Sequence, residues 1–135
     1  MKVLETDNWC LLLPPEWQAE QEDDVVVIVD NDGVGELSLT TLCKHDGTVA
    51  EDELLAMARE ESPEINSWQA LKLGAFSGVT GSFLEDNAYI REWYVAADNI
   101  LIYITYFCDD DNATMDDAAI DELLGTLVLG DRDGG

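Results

Sequence analysis

The sequence predicts an α+β fold: one largely antiparallel sheet of about six or seven strands with helices packed on its faces, an α/β/α sandwich in a single domain over 1–135. Three observations predict it. Four strand-like runs follow one another between 68 and 108, two β-branched runs flank Asn31, Asp32 and Gly33, and two helical segments stand midway and at the end rather than alternating with strands. That order excludes a βαβ succession and leaves antiparallel neighbours covered by helices.

"WCLLL", 9–13, is a short apolar run stopped by Pro14 and Pro15, which have no N–H to give a ladder, so it reads as a strand. The stretch 18–24 is polar and reads as a loop. "VVVIVD" and "VGELSLTTLC" then enclose Asn31, Asp32 and Gly33, residues that tolerate positive φ and suit a hairpin turn.

"DGTVAEDEL", 46–54, resembles the second half of an EF-hand loop, but with Gly47 in sixth place the first and third ligands would be Leu42 and Lys44, which offer no carboxylate. A helix over 48–62 fits better. Thr48 and Glu51 have capping-box spacing, Asp52 and Glu53 favour the positive end of the helix dipole, Ala50, Leu54, Met57 and Ala58 share one face, and Ser62 and Pro63 end it.

The runs "WQALKLG", "FSGVTGSFLED", "AYIREWYVA" and "ILIYITYFC" form a predicted meander, with Gly74, Asp86, Asn87, Asp98 and Asn99 at its turns. Both alternating sets of the last run are apolar: Ile100, Ile102 and Ile104 on one side, Leu101, Tyr103 and Phe107 on the other. This predicts a central strand covered on both faces. In the segment 113–128, Ile120, Leu123, Leu124 and Leu127 lie at i, i+3, i+4 and i+7, a docking stripe for a closing helix with Asp116 and Asp117 in its first turn. Residues 129–135 are expected to fray.

The order of "LLLPPEW", hairpin, capped helix, "LGAFSG", "REWYV", "ITYFC" and closing helix resembles the PsbP-like superfamily. That group includes photosystem II extrinsic proteins, a Ran-binding import factor and bacterial chaperones of secretion effectors. Pro14, Pro15 and Trp17 are similar to the proline, glycine, tryptophan that follows the first strand in many relatives, with Glu16 in place of the glycine. The resemblance implies an antiparallel sheet between helices and functions of binding and scaffolding; it brings no catalytic residues.

Thirty Asp and Glu against six Lys and Arg give a net charge of -24, a field that repels phosphate backbones and anionic lipid, so nucleic-acid and membrane partners are not expected. The acidity fits either a salt-adapted surface or complementarity to a basic partner. The hydrophobic share of 47% supports a core rather than a disordered acidic chain. Cys10, Cys43 and Cys108 are odd in number and not closely paired, which fits a reducing compartment; with no leader pattern and no membrane-length apolar run, the expectation is cytoplasmic.

Candidate sites are few. His45 lacks a nucleophile elbow and its spacing to the cysteines is not that of a zinc site, so it reads as an exposed turn residue. Five aspartates crowd 108–117 without the turn that wraps calcium, and read as a solvated entry to the last helix. No catalytic residue, metal or cofactor is expected. Possible partner or ligand contacts are Trp17, as an aromatic anchor after two prolines, and Arg91, as a ligand-anchoring guanidinium in a pocket lined by Trp93 or Tyr106; core packing and a carboxylate pair for Arg91 are the plainer readings. Arg91 and Glu92 should point to opposite faces. The functional expectation is a small bacterial non-enzymatic adaptor or chaperone-like protein. The alternatives are an immunity protein against a basic toxin, and a ligand binder or hydrolase with an undeclared pocket.

Overall fold

The computed structural model describes residues 2–6, 8–22, 25–31, 35–44, 47–65, 67–112 and 117–129. Its elements run β1 (Lys2–Glu5), β2 (Trp9–Leu13), β3 (Trp17–Glu22), β4 (Val25–Asp30), β5 (Gly35–Cys43), α1 (Glu51–Glu61), β6 (Gln69–Leu73), β7 (Phe76–Glu85), β8 (Ala88–Ala97), β9 (Ile100–Asp109), α2 (Asp117–Leu124) and β10 (Val128–Leu129). Seven strands form one antiparallel sheet in the order β3-β4-β5-β9-β8-β7-β6, and β1-β2-β10 form a second, small one. The expected α+β architecture is present, with α1 on one face of the large sheet and α2 beside the small sheet on the other.

β9 is the middle strand, as its two apolar sets predict. Ile100, Ile102, Ile104 and Tyr106 enter the larger core, where they meet Trp9, Leu11 and Leu13 of β2 and Ile120, Leu123 and Leu124 of α2. Leu101 enters the smaller core with Leu54 and Ala58 of α1 and Tyr94, and Tyr103 packs at its margin. Phe107 departs from the expectation: it is 49% exposed, because α1 packs on β7 and β8 and leaves that end of β9 bare.

The meander turns follow their chemistry. Asp86, Asn87, Asp98 and Gly74 all have positive φ, the left-handed conformation that tight hairpin turns demand and that Asn, Asp and Gly adopt at least cost. The hairpin strands β4 and β5 pair as expected; the turn residues Asp32 and Gly33 lie outside the described residues, as do His45 and the tail from 130.

Five expectations need correction. The polar stretch 18–24 contains β3, whose Gln18, Glu20 and Glu22 face water from an edge position while Trp17 and partly buried Ala19 turn inward, so its pattern reads as a loop. Residues 9–13 belong to the small sheet, between β1 and β10. The first helix begins at Glu51, not near Thr48: Val49 is held extended by its N–H to the carbonyl of Asp98, 2.9 Å, and Glu53 rather than Glu51 reaches back, to the N–H of Ala50 at 3.3 Å. Val49 and Leu54 share the smaller core, a hydrophobic staple across the helix start. The last helix, described from Asp117, stops at Leu124, since Gly125 and Thr126 turn the chain so that Val128 and Leu129 pair with Cys10 and Trp9. Leu129 is therefore in a strand rather than in a frayed tail.

The two sheets meet at Gly74. The N–H of Ala75 donates to the carbonyl of Leu127 at 2.9 Å, and a Cβ on Gly74 would stand 1.9 Å from that same oxygen. Gly74→Ala therefore meets both a positive φ and a backbone that cannot retreat. It should lower stability by about 2 kcal/mol or more, read as a fall in the urea midpoint; an unchanged midpoint would contradict this docking.

Candidate functional site

β8 is the element from which functional groups project. Its alternation sends Arg91 and Trp93 to the α2 side and Glu92 to the α1 side, as the sequence requires. Arg91 is only 15% exposed. Its guanidinium lies 4.5 Å over the Trp93 ring, its Nη1 is 3.1 Å from Asp121 Oδ1 and 3.9 Å from Asp117 Oδ1, and its Nε donates to Thr80 Oγ1 at 3.3 Å. The cation is thus neutralised by α2 and stacked on an indole, which fastens the helix to the sheet.

A cleft of about 620 Å³ opens beside it. β6 stops at Gln69, opposite Thr80, so the outer half of β7 has no neighbour on that edge. Ser67, Gln69, Ser82 and Tyr89 line the gap with Arg91, Asp117 and Asp121. The cleft is polar, and it holds Arg91 but not the other sequence candidates. Trp93 is wholly buried beneath the guanidinium, its indole N–H without a partner among the described residues. Tyr106 sits opposite Arg91 on β9, also buried, with its ring in the space that a Cβ on Gly35 would need. Trp17 starts the far edge strand and is 3% exposed, so the expectation of an exposed anchor is corrected: the turn after Pro14, closed by Trp17 N–H to Pro14 carbonyl at 3.0 Å, folds the ring into the core.

The opposite face carries a group that the sequence reading passed over. Glu92 is 7% exposed and makes no ion pair among the described residues. Hydroxyls serve it instead: Ser62, at the C-terminal cap of α1, donates to its carboxylate, and Tyr103 does the same from β9. Tyr94 bonds to Ser62 and to Tyr103, its ring centroid 4.8 Å from that of Tyr103 and 5.8 Å from that of Trp68. Burial first, and then the Glu92 charge, push the Tyr103 phenol well above its ordinary range; Tyr94 is raised chiefly by burial, as is Tyr89 on the other face. The signal for this cluster lay in one glutamate inside an aromatic strand, two residues from Tyr94.

Among the described residues no group of three or more potential metal ligands is found, and no helix is long and apolar enough to cross a membrane. Cys10, Cys43 and Cys108 form no disulfide.

No family model and no curated protein matches the sequence. Solved structures do resemble it. A Bacteroides thetaiotaomicron VPI-5482 protein superposes with TM-score 0.66 at 13% identity, over 94% of this chain and 46% of that one, so this chain spans less than half of its length. LpqN, involved in cell envelope biogenesis of Mycobacterium tuberculosis, superposes with TM-score 0.62 at 16% identity, over 90% and 83%. The cyanobacterial PsbP of Synechocystis sp. PCC 6803 matches at TM-score 0.46 and 14% identity, over 91% and 87%. The likeness is one of fold. It assigns no site; the antiparallel sheet between helices that the resemblance implied is seen in the strand order itself.

Two outcomes follow from these geometries. Arg91→Ala should cost about 1–3 kcal/mol through lost packing on Trp93 and two stranded carboxylates, whereas Asp121→Asn, at a half-exposed carboxylate, should cost under about 1 kcal/mol; equal midpoints for both would refute the clamp. The raised phenols stabilise the fold fully below the unfolded value near 10 and lose that contribution as pH rises through their folded values. In an alkaline titration followed by phenolate absorbance, Tyr103→Phe should therefore remove a late step. Loss of a step near the ordinary phenol value would show Tyr103 to be outside a buried network.

Proposed function

We propose that this is a non-enzymatic adaptor or chaperone-like protein of the cytoplasm, and that the open half of its large sheet contacts a basic protein partner. The observation that carries the reading is the character of that half. α1 packs on β7 and β8, so Val25, Val27 and Val29 of β4, Ser38 and Thr40 of β5 and Phe107 of β9 stand on the same side without a helix over them. The strands β3, β4, β5 and β9 contain no Lys or Arg, while Glu20, Glu22 and Glu36 border the apolar residues. An apolar centre with an acidic rim is the complement of a basic surface and steers it by charge. An immunity role against a basic toxin would use the same surface, which makes it one instance of this reading.

The test is capture from native lysate at low and high salt with the wild-type chain and with Phe107→Glu. A specific partner should be retained at low salt, be weakened as salt screens the rim, and be lost on Phe107→Glu while the thermal midpoint holds. Recovery of the chain alone, or a partner indifferent to both salt and Phe107→Glu, would remove this reading.

A further inference from the structure

A second cavity, of about 370 Å³, lies between the C-terminal half of α1 and the sheet. Its walls are of two kinds. Leu42, Met57 and Leu101 offer an apolar surface, and Tyr94 and Tyr103 offer aromatic rings with Glu61 at the rim. Behind the tyrosines stands Glu92, reached through the Tyr103 hydroxyl. Neither Glu61 nor Glu92 has an ion-pair partner among the described residues, in contrast to Asp117 and Asp121, which share Arg91.

We propose that this pocket binds a small organic ammonium ion, an amine carried on an apolar body. The chemistry selects among ligand classes. An anion would meet Glu61 at the rim, and no Lys or Arg lines the cavity to receive it. A neutral ligand would fill the apolar wall but leave the Glu61 carboxylate and the tyrosine rings, both of which favour a cation, with no charge to meet. An ammonium satisfies both walls: its body packs on Leu42, Met57 and Leu101, and its charge meets the tyrosine rings and the carboxylate of Glu61, the combination by which aromatic cages hold alkylated amines. The volume falls among those of small-molecule sites, in which apolar walls and a few converging polar groups recur. The pocket needs no protein partner, so it stands or falls apart from the adaptor reading.

The experiment is calorimetric titration of the full chain with phenethylammonium, with 2-phenylethanol as the neutral analogue and phenylacetate as the anionic one, at low salt and in about 0.5 M salt, where screening removes general attraction to the acidic surface. The ammonium should bind at both salts, at least about tenfold tighter than the alcohol, with no binding of phenylacetate; a tenfold preference corresponds to one well-placed charge contact. Tyr103→Leu should abolish binding. Glu61→Gln, at an exposed position, should weaken it by about threefold and Glu92→Gln by about tenfold, with circular dichroism confirming the fold; should Glu92→Gln not fold, Glu61→Gln and the analogue series still decide. Equal affinity for amine and alcohol would overturn the proposal. So would amine binding that survives Tyr103→Leu or vanishes in high salt, which marks general surface attraction, and so would binding of a lysine-rich peptide in the absence of binding by the free amine.

Discussion

β9 runs through the middle of the sheet with a different core on each side, and most other features depend on its register. Its inward sets are not interchangeable. Ile100, Ile102, Ile104 and Tyr106 fill the space between the large sheet, the small sheet and α2, whereas Leu101 and Tyr103 meet α1 and are followed by Thr105 and the exposed Phe107. A slip of one residue would exchange these sets and put Thr105 and Phe107 into the tighter core. The register so fixed carries over to β8 by direct pairing, which sends Arg91 toward α2 and Glu92 toward α1. Two charges next to each other in sequence are thereby committed to opposite faces of a buried strand.

The fold meets those charges in different ways. Arg91 receives carboxylates from α2 and an aromatic face from Trp93, so its burial also fastens a helix of only eight residues to the sheet. Glu92 receives hydroxyls from Ser62 and Tyr103, and so ties the end of α1 to the centre of the sheet. Hydrogen bonds to a charged group contribute about 1.5–3 kcal/mol each, so both arrangements favour the fold as long as they stay whole. They differ in what serves the charged group: Arg91 shares two carboxylates of α2, whereas Glu92 is met by hydroxyls and by no cation among the described residues. Among the described residues Glu92 is the one buried carboxylate, which sets it apart.

Much of this architecture was legible in the sequence because it rests on local chemistry. The meander appeared through its turn residues, the middle strand through two apolar sets, and the docking face of α2 through Ile120, Leu123 and Leu124. What escaped rests on neighbours distant in the chain. β3 faces water along one side, so Gln18, Glu20 and Glu22 hide its period behind polarity. Thr48 had the right spacing for a cap, but the bond from Val49 to Asp98 moves the helix start two residues on. β10 is two residues long and exists only because Cys10 and Trp9 are there to pair with it. Of the candidate site residues, Arg91 and Trp93 do stand together, yet the sequence gives no means of knowing that α2 supplies the acids, or that Glu92 on the other face meets two tyrosines and a serine.

The uneven cover of the sheet also has an energetic consequence. Seven strands span about 29 Å at about 4.8 Å apart, and a helix about 10 Å wide conceals roughly a third of that. The uncovered part contains valines whose branched side chains favour strands, beside an edge strand that could pair with another copy. Glu20 and Glu22 on β3 and Glu36 on β5 oppose such pairing, since a second copy would bring its own acids against them with no Lys or Arg in those strands to offset the repulsion. The same charges favour a surface of opposite sign. Self-association and binding of a basic protein are thus separated by one feature, the sign of the rim, and salt shifts them in opposite directions: it weakens the attraction to a basic surface and lessens the repulsion between copies.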